Sequence, residues 1–160
     1  MKKLIAFLMT LCLLCASCAA LADTEIPTWE SMPGAVIEDE NTTVDEAAFE
    51  GEWVMNVAFL GTEYVDEQTL FDTYNFNFMP FRIGDGKIAQ DIEDGEGEFR
   101  TVETSYTFEA GQLQGQDGSG LNFAIDLLED GNIVLSVFLP GEGETLDCLS
   151  VFMVHPEAQD

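Results

Sequence analysis

An all-β fold is the class this sequence predicts: eight antiparallel strands closed into an up-and-down barrel, with one short helix after the first strand. Two observations carry that expectation. From Trp53 onward nearly every apolar run is short, rich in β-branched or aromatic residues, and closed by Gly with Asp, Asn or Pro. Such runs read as consecutive hairpins, and consecutive hairpins close into a barrel that removes the exposed edges of an open sheet. A Greek-key sandwich is the alternative arrangement of the same strands.

Residues 1–22 read as a secretory signal peptide. Lys2 and Lys3 precede an apolar run from Leu4 to Leu14, and small residues follow through Ala22. Ala20-Leu21-Ala22 offers an A-x-A site for cleavage before Asp23. Cys15-Ala16-Ser17-Cys18 is a partial lipobox with Cys where an aliphatic residue belongs, so lipidation at Cys18 is the second outcome. An uncleaved anchor is the weakest reading, because the apolar run barely spans a bilayer. The expected location is extracellular, or the cell surface if Cys18 carries lipid.

Charge and cysteine content then exclude whole classes of function. The full chain has a formal net charge of −26, with 5 Lys+Arg against 31 Asp+Glu. Two of the basic residues lie in the leader and none of the acids do, so the exported chain is more acidic still. Nucleic acid and anionic lipid headgroups would repel it. Cys12, Cys15 and Cys18 also leave with the leader, and Cys148 alone remains. No disulfide framework staples the fold, so its stability rests on a core.

Residues 23–48 form an acidic lead-in broken by Pro27 and Pro33, with Ile26 and Trp29 able to dock it onto the domain. Asn41-Thr42-Thr43 matches a glycosylation sequon, a motif short enough to arise by chance. After the capping residues Thr42 and Thr43, Asp45 to Phe49 reads as one helical turn. Residues 49–160 are the barrel domain. Its first strand, 53–60, places Trp53, Met55, Val57 and Phe59 on one face, the heavier and inward one. A helix follows from the capping Asp66 to Tyr74, with Leu70, Phe71 and Tyr74 at helical spacing.

The second strand is expected at 76–83, with Pro80 marking an edge or bulge, and Gly84-Asp85-Gly86 turns the chain into a third at 87–92. The fourth, 99–108, alternates Val102, Tyr106 and Phe108 with Thr101, Glu103, Ser105 and Thr107, giving one buried and one solvated face. A short fifth strand lies at Leu113. The sixth sets Leu121, Phe123, Ile125 and Leu127 against Asn122 and Asp126. Asp130-Gly131 is the strongest hairpin signal and leads to strands at 133–139 and 145–154.

Gly51-Glu52-Trp53, following a helical turn that ends in Phe49 and opening an eight-strand meander, resembles the G-x-W start of lipocalin-like (calycin) barrels. It is similar in particular to small secreted lipocalin-like domains of Gram-positive gut bacteria. The resemblance covers about residues 45–155 and implies that Trp53 lies at the closed end of the barrel. In that family an Arg from a late strand commonly packs on this Trp; here no Arg or Lys follows Arg100.

Catalysis finds little support. His155 and Cys148, the one His and the one Cys of the exported chain, are seven residues apart. On one strand that is about 23 Å at ~3.3 Å per residue, on opposite faces, so they form no dyad. Cys148 reads as a small core hydrophobe and His155 as a surface residue. A nucleophile elbow, a phosphate-binding glycine loop and an H-E-x-x-H motif are all missing from the sequence. Asp91, Glu93, Asp94, Glu96 and Glu98 suggest calcium, but their glycines do not suit an EF-hand loop, and a solvated hairpin tip is the preferred reading. No cofactor or metal is expected.

The barrel interior is the remaining candidate site. Trp53, Met55, Val57, Phe59, Val102, Tyr106, Phe108, Phe123, Ile125 and Leu135 are bulky enough to fill an eight-strand barrel, or to line a cavity for one small ligand. Arg82 alternates with Phe81 and Ile83, and either faces the lumen or pairs with acids outside. The chain therefore reads as a secreted, non-catalytic binding module that would take a small apolar or amphiphilic molecule. The alternative is an extracellular structural or protein-interaction domain with a filled barrel.

Overall fold

The computed structural model of the protein describes residues 26–32, 44–93, 97–141 and 145–156. The leader, the sequon, Cys18 and the tip residues Asp94 and Glu96 lie outside the described residues. A 3-10 turn at Glu46–Phe49 leads into β1, Gly51–Leu60. Then come β2 (Glu63–Val65), α1 (Glu67–Tyr74), β3 (Phe81–Gly84) and β4 (Lys87–Glu93). The chain continues through β5 (Phe99–Glu109), β6 (Gln112–Gln116), β7 (Asn122–Leu127), β8 (Ile133–Pro140) and β9 (Leu146–Val154).

Eight of these strands close an antiparallel barrel. β1 pairs with β3 through residues 51–53, sequence neighbours pair from β3 to β9, and β9 returns to β1. β2 is the additional strand. It covers the free edge of β1 at Ala58–Leu60, where β3 is no longer alongside.

Strand β3 is shorter than the sequence predicts. Residues 76–80 stay irregular, because Asn75 ends α1 in the left-handed conformation (φ 51°) and Pro80 has no N–H to give a ladder. Side chains hold this segment instead. Asn77 Nδ2 donates to the Asp91 carbonyl at 2.8 Å, and Gln90 Nε2 donates to the carbonyls of Asn77 and Met79 at 2.9 and 2.6 Å. Helix α1 is capped as its sequence demands, with the Thr69 N–H donating to Asp66 Oδ1 at 2.9 Å. Leu70 of this helix is fully buried in the main core.

A second difference sits in β1. The pairing with β9 shifts between Met55 and Val57, a β-bulge that reverses the faces beyond it. Trp53, Met55, Ala58 and Leu60 consequently belong to the interior cluster, while Val57 and Phe59 join Leu128, Val134 and Phe152 on the outer wall. The expectation that Val57 and Phe59 point inward is therefore corrected. Apolar surface on the outside needs a cover, and the lead-in supplies it. Trp29 meets Phe59 and Phe152 edge-on at 5.5 and 5.8 Å between ring centroids, and Met32 packs beside them.

The Asp130-Gly131 hairpin forms between β7 and β8, but not as a two-residue turn. Leu128 and Asn132 pair through a 2.8 Å hydrogen bond, and only Gly131 (φ 83°) takes a positive φ. That is a turn closed by a left-handed glycine, one residue longer than the tightest hairpin.

Candidate functional site

Seven of the ten lumen candidates share the interior cluster. Trp53, Phe123, Ile125 and Leu135 are buried in it, and Met55, Tyr106 and Phe108 pack against it partly buried. A space wide enough for one water molecule would leave accessible surface on the side chains around it. Trp53, Leu70, Leu113, Ile133 and Val151 have 0%. Side chains thus fill the interior at these positions, as an eight-strand barrel permits.

The floor of the barrel is tied to the chain that precedes it. Trp53 Nε1–H donates to the Phe49 carbonyl at 2.9 Å, which satisfies the one polar group of a fully buried indole. The His155 ring stacks on that indole with centroids 3.8 Å apart, and its Nδ1 lies 3.0 Å from the Glu52 carbonyl. His155 is exposed, as expected of it, yet packs on the core. Phe49 meets Phe108 at 6.2 Å, and burial together with the Glu46 carboxylate pushes the Tyr106 phenol up.

Arg82 lies outside. It alternates with Phe81 and Ile83, which face the core, and forms a two-pronged pair with Asp91 at 3.0 and 3.1 Å. The Thr101 hydroxyl donates to the same carboxylate at 2.6 Å. These partners hold Asp91 below the usual carboxylate range, chiefly through Arg82 and then Thr101. The outcome is a wall brace across β3, β4 and β5 rather than a lumen group. Cys148 is half-buried beside Phe138 on β8. Its Sγ lies 3.6 Å from Ser150 Oγ, so it is not the core hydrophobe that its residue type suggests. Among the described residues no cluster of His, Cys, Asp and Glu has a metal-holding arrangement.

One concave feature lies on the outer wall over β5 to β8. It is an open groove of about 700 Å³. Strand register builds it: Thr107 lies opposite Gln114, Gln114 opposite Ala124, and Gln116 opposite Asn122. The small Ala124 forms the floor, Phe138 one end, and Ser105 with Thr107 the other. Gln112, Gln114 and Gln116 project every second residue, spaced ~6.7 Å apart by strand geometry. Gln114 Nε2 donates to Gln112 Oε1 at 2.7 Å, and Gln112 Nε2 donates to Asp126 Oδ1 at 2.6 Å. Gln116 Nε2 donates to the Gly120 carbonyl at 2.9 Å.

These glutamines were legible as the polar face of a Gln-Leu-Gln-Gly-Gln alternation. In sequence they carry no signal of a site, because uncharged side chains on a short strand ordinarily mean a solvated wall.

Asp126, the acid that anchors the chain of amides, is only 9% exposed, and burial raises its pKa. The sign of the resulting linkage is set by that direction. Above its folded pKa the native state carries a buried carboxylate, and stability is regained as pH falls toward the ordinary value of 3.8. Asp126→Asn keeps the acceptor for Gln112 and removes the charge. It is expected to raise the Tm at pH 7 by a few degrees, a gain that shrinks toward pH 4. Melting curves of both proteins across that range check it, and parallel curves would contradict it.

No family model, curated protein or solved structure matches this chain.

Proposed function

We propose that the chain is an exported, non-catalytic binding domain of lipocalin-like, up-and-down type. Its barrel is filled, and it meets its partners through the outer wall. The observation that carries this reading is the interior cluster, in which Trp53, Leu113, Ile133 and Val151 have no accessible surface. The neighbour-to-neighbour strand order and Gly51-Glu52-Trp53 at the start of β1 support the barrel type. The leader and the large negative charge favour export and disfavour nucleic acid or anionic membrane as partner.

The reading separates from a ligand-carrying barrel in a simple titration. Hollow barrels take up apolar fluorophores and release them to fatty acids. Here anilinonaphthalene sulfonate at neutral pH is expected to show no saturable enhancement and no displacement by palmitate. A stoichiometric, displaceable enhancement would return the lumen to the position of binding site.

A further inference from the structure

We propose that the groove over β5 to β8 binds a neutral oligosaccharide, with Phe138 stacking on a sugar ring and Gln114, Gln116 and Asn122 bonding its hydroxyls. The inference rests on the filled-barrel reading and names the ligand class of its outer wall. Charge is the first argument. In a chain with 31 acids, none of the residues lining this groove is charged at neutral pH: there is no Asp, Glu, Lys, Arg or His among them, and the Tyr106 phenol stays protonated. An anion would find no cation there, and a cation would find stronger sites elsewhere on so acidic a surface.

Hydrogen-bond chemistry is the second argument. A carboxamide presents donors and an acceptor side by side, which matches hydroxyls that both give and take a proton. Gln114 Oε1, Asn122 Nδ2 and Ser105 Oγ make no hydrogen bond among the described residues, so they remain free for a ligand. The chain from Gln114 through Gln112 to Asp126 fixes one amide before any ligand arrives, which reduces the ordering cost of binding.

Shape is the third. The groove is open, and on its outer side the apolar part of the lining is the half-buried ring of Phe138 beside the methyl of Ala124, with Tyr106 and the nearly buried Phe123 reached beside Gly115. A small apolar molecule seated there would cover the amides of Gln114, Gln116 and Asn122 and give them no hydrogen-bond partner. A chain of sugar rings has one apolar face for Phe138 and hydroxyl edges for the amides.

The test is a 15N NMR titration of the exported full chain with cellohexaose, maltohexaose and mannohexaose, with a galacturonic acid oligomer as the charged control. Expected is saturable binding of at least one neutral hexaose that shifts the side-chain amides of Gln114, Gln116 and Asn122. Gln114→Leu and Phe138→Ala should each weaken it about tenfold, the scale of one lost contact. Both residues lie on the wall, and thermal melts of the variants separate lost binding from lost fold.

Two outcomes overturn the inference: none of the hexaoses moves these resonances at millimolar concentration, or binding ignores both substitutions. If they fail to move while the fluorophore titration stays flat, the groove inference falls alone. A hexaose that instead shifts the Trp53 indole and leaves Gln114 still would overturn the filled-barrel reading as well.

Discussion

Trp53→Ala is expected to be the most damaging single substitution on the barrel, lowering stability by about 3–5 kcal/mol. The indole is fully buried, carries a satisfied 2.9 Å hydrogen bond to Phe49, and stacks with His155 at 3.8 Å. Its loss removes the transfer free energy of a large side chain and leaves a void that the rigid ladder of β1, β3 and β9 cannot close. The Phe49 carbonyl also loses its donor in a buried place, which adds a desolvation penalty. At roughly 4 °C per kcal/mol the midpoint should fall by about 12–20 °C. Trp53→Phe fills most of the volume and should cost clearly less. Thermal melts of the two variants, read against the parent protein, decide the point, and a loss under about 1 kcal/mol for Trp53→Ala would contradict the account of the floor.

Gly115→Ala should be the second largest, roughly 1–3 kcal/mol. A Cβ built at this glycine would lie 2.5 Å from Phe123 Cζ and 2.9 Å from the Ser105 carbonyl oxygen. No side chain tolerates such distances, and neither neighbour can retreat easily. Phe123 is 6% exposed within the interior cluster, and Ser105 is backbone of β5. Glycine is therefore required here by the close approach of a ring, on a strand where it otherwise weakens the ladder. The explanation makes a stricter demand. Phe123→Leu removes the outer atoms of the ring, so the double variant should lose measurably less than the sum of the two single losses. Additive losses would mean that Gly115 matters for some other reason.

Much of the architecture can be read from hydrophobic runs and turn residues. The Gly84-Asp85-Gly86 turn joins β3 to β4, and the alternation in β5 puts Tyr106 and Phe108 against the core. The bulge after Met55 escapes such a reading for a physical reason. Both faces of β1 carry apolar residues, Val57 and Phe59 on one and Ala58 and Leu60 on the other, so a shift of one residue leaves no polar position misplaced. Alternation reports register only where one face is wet. The cover over Val57 and Phe59 then depends on Trp29, distant in sequence and placed by tertiary packing alone.

The groove was hidden differently. Its glutamines are visible in sequence, but their alignment with Ala124 and Phe138 exists only once four strands are in register. Strand β2, three residues long, carries too short a pattern to separate from a turn. Arg82 could be assigned to either face, and its partner Asp91 on β4 settles the choice.

The central claim is that the barrel is filled by its own side chains and acts from its outside. Native mass spectrometry of residues 23–160 before and after extraction with organic solvent tests it most directly. The account predicts one mass, unchanged by extraction. A discrete excess that solvent removes would mean that the interior accommodates an apolar molecule, and the filled-barrel account would be wrong.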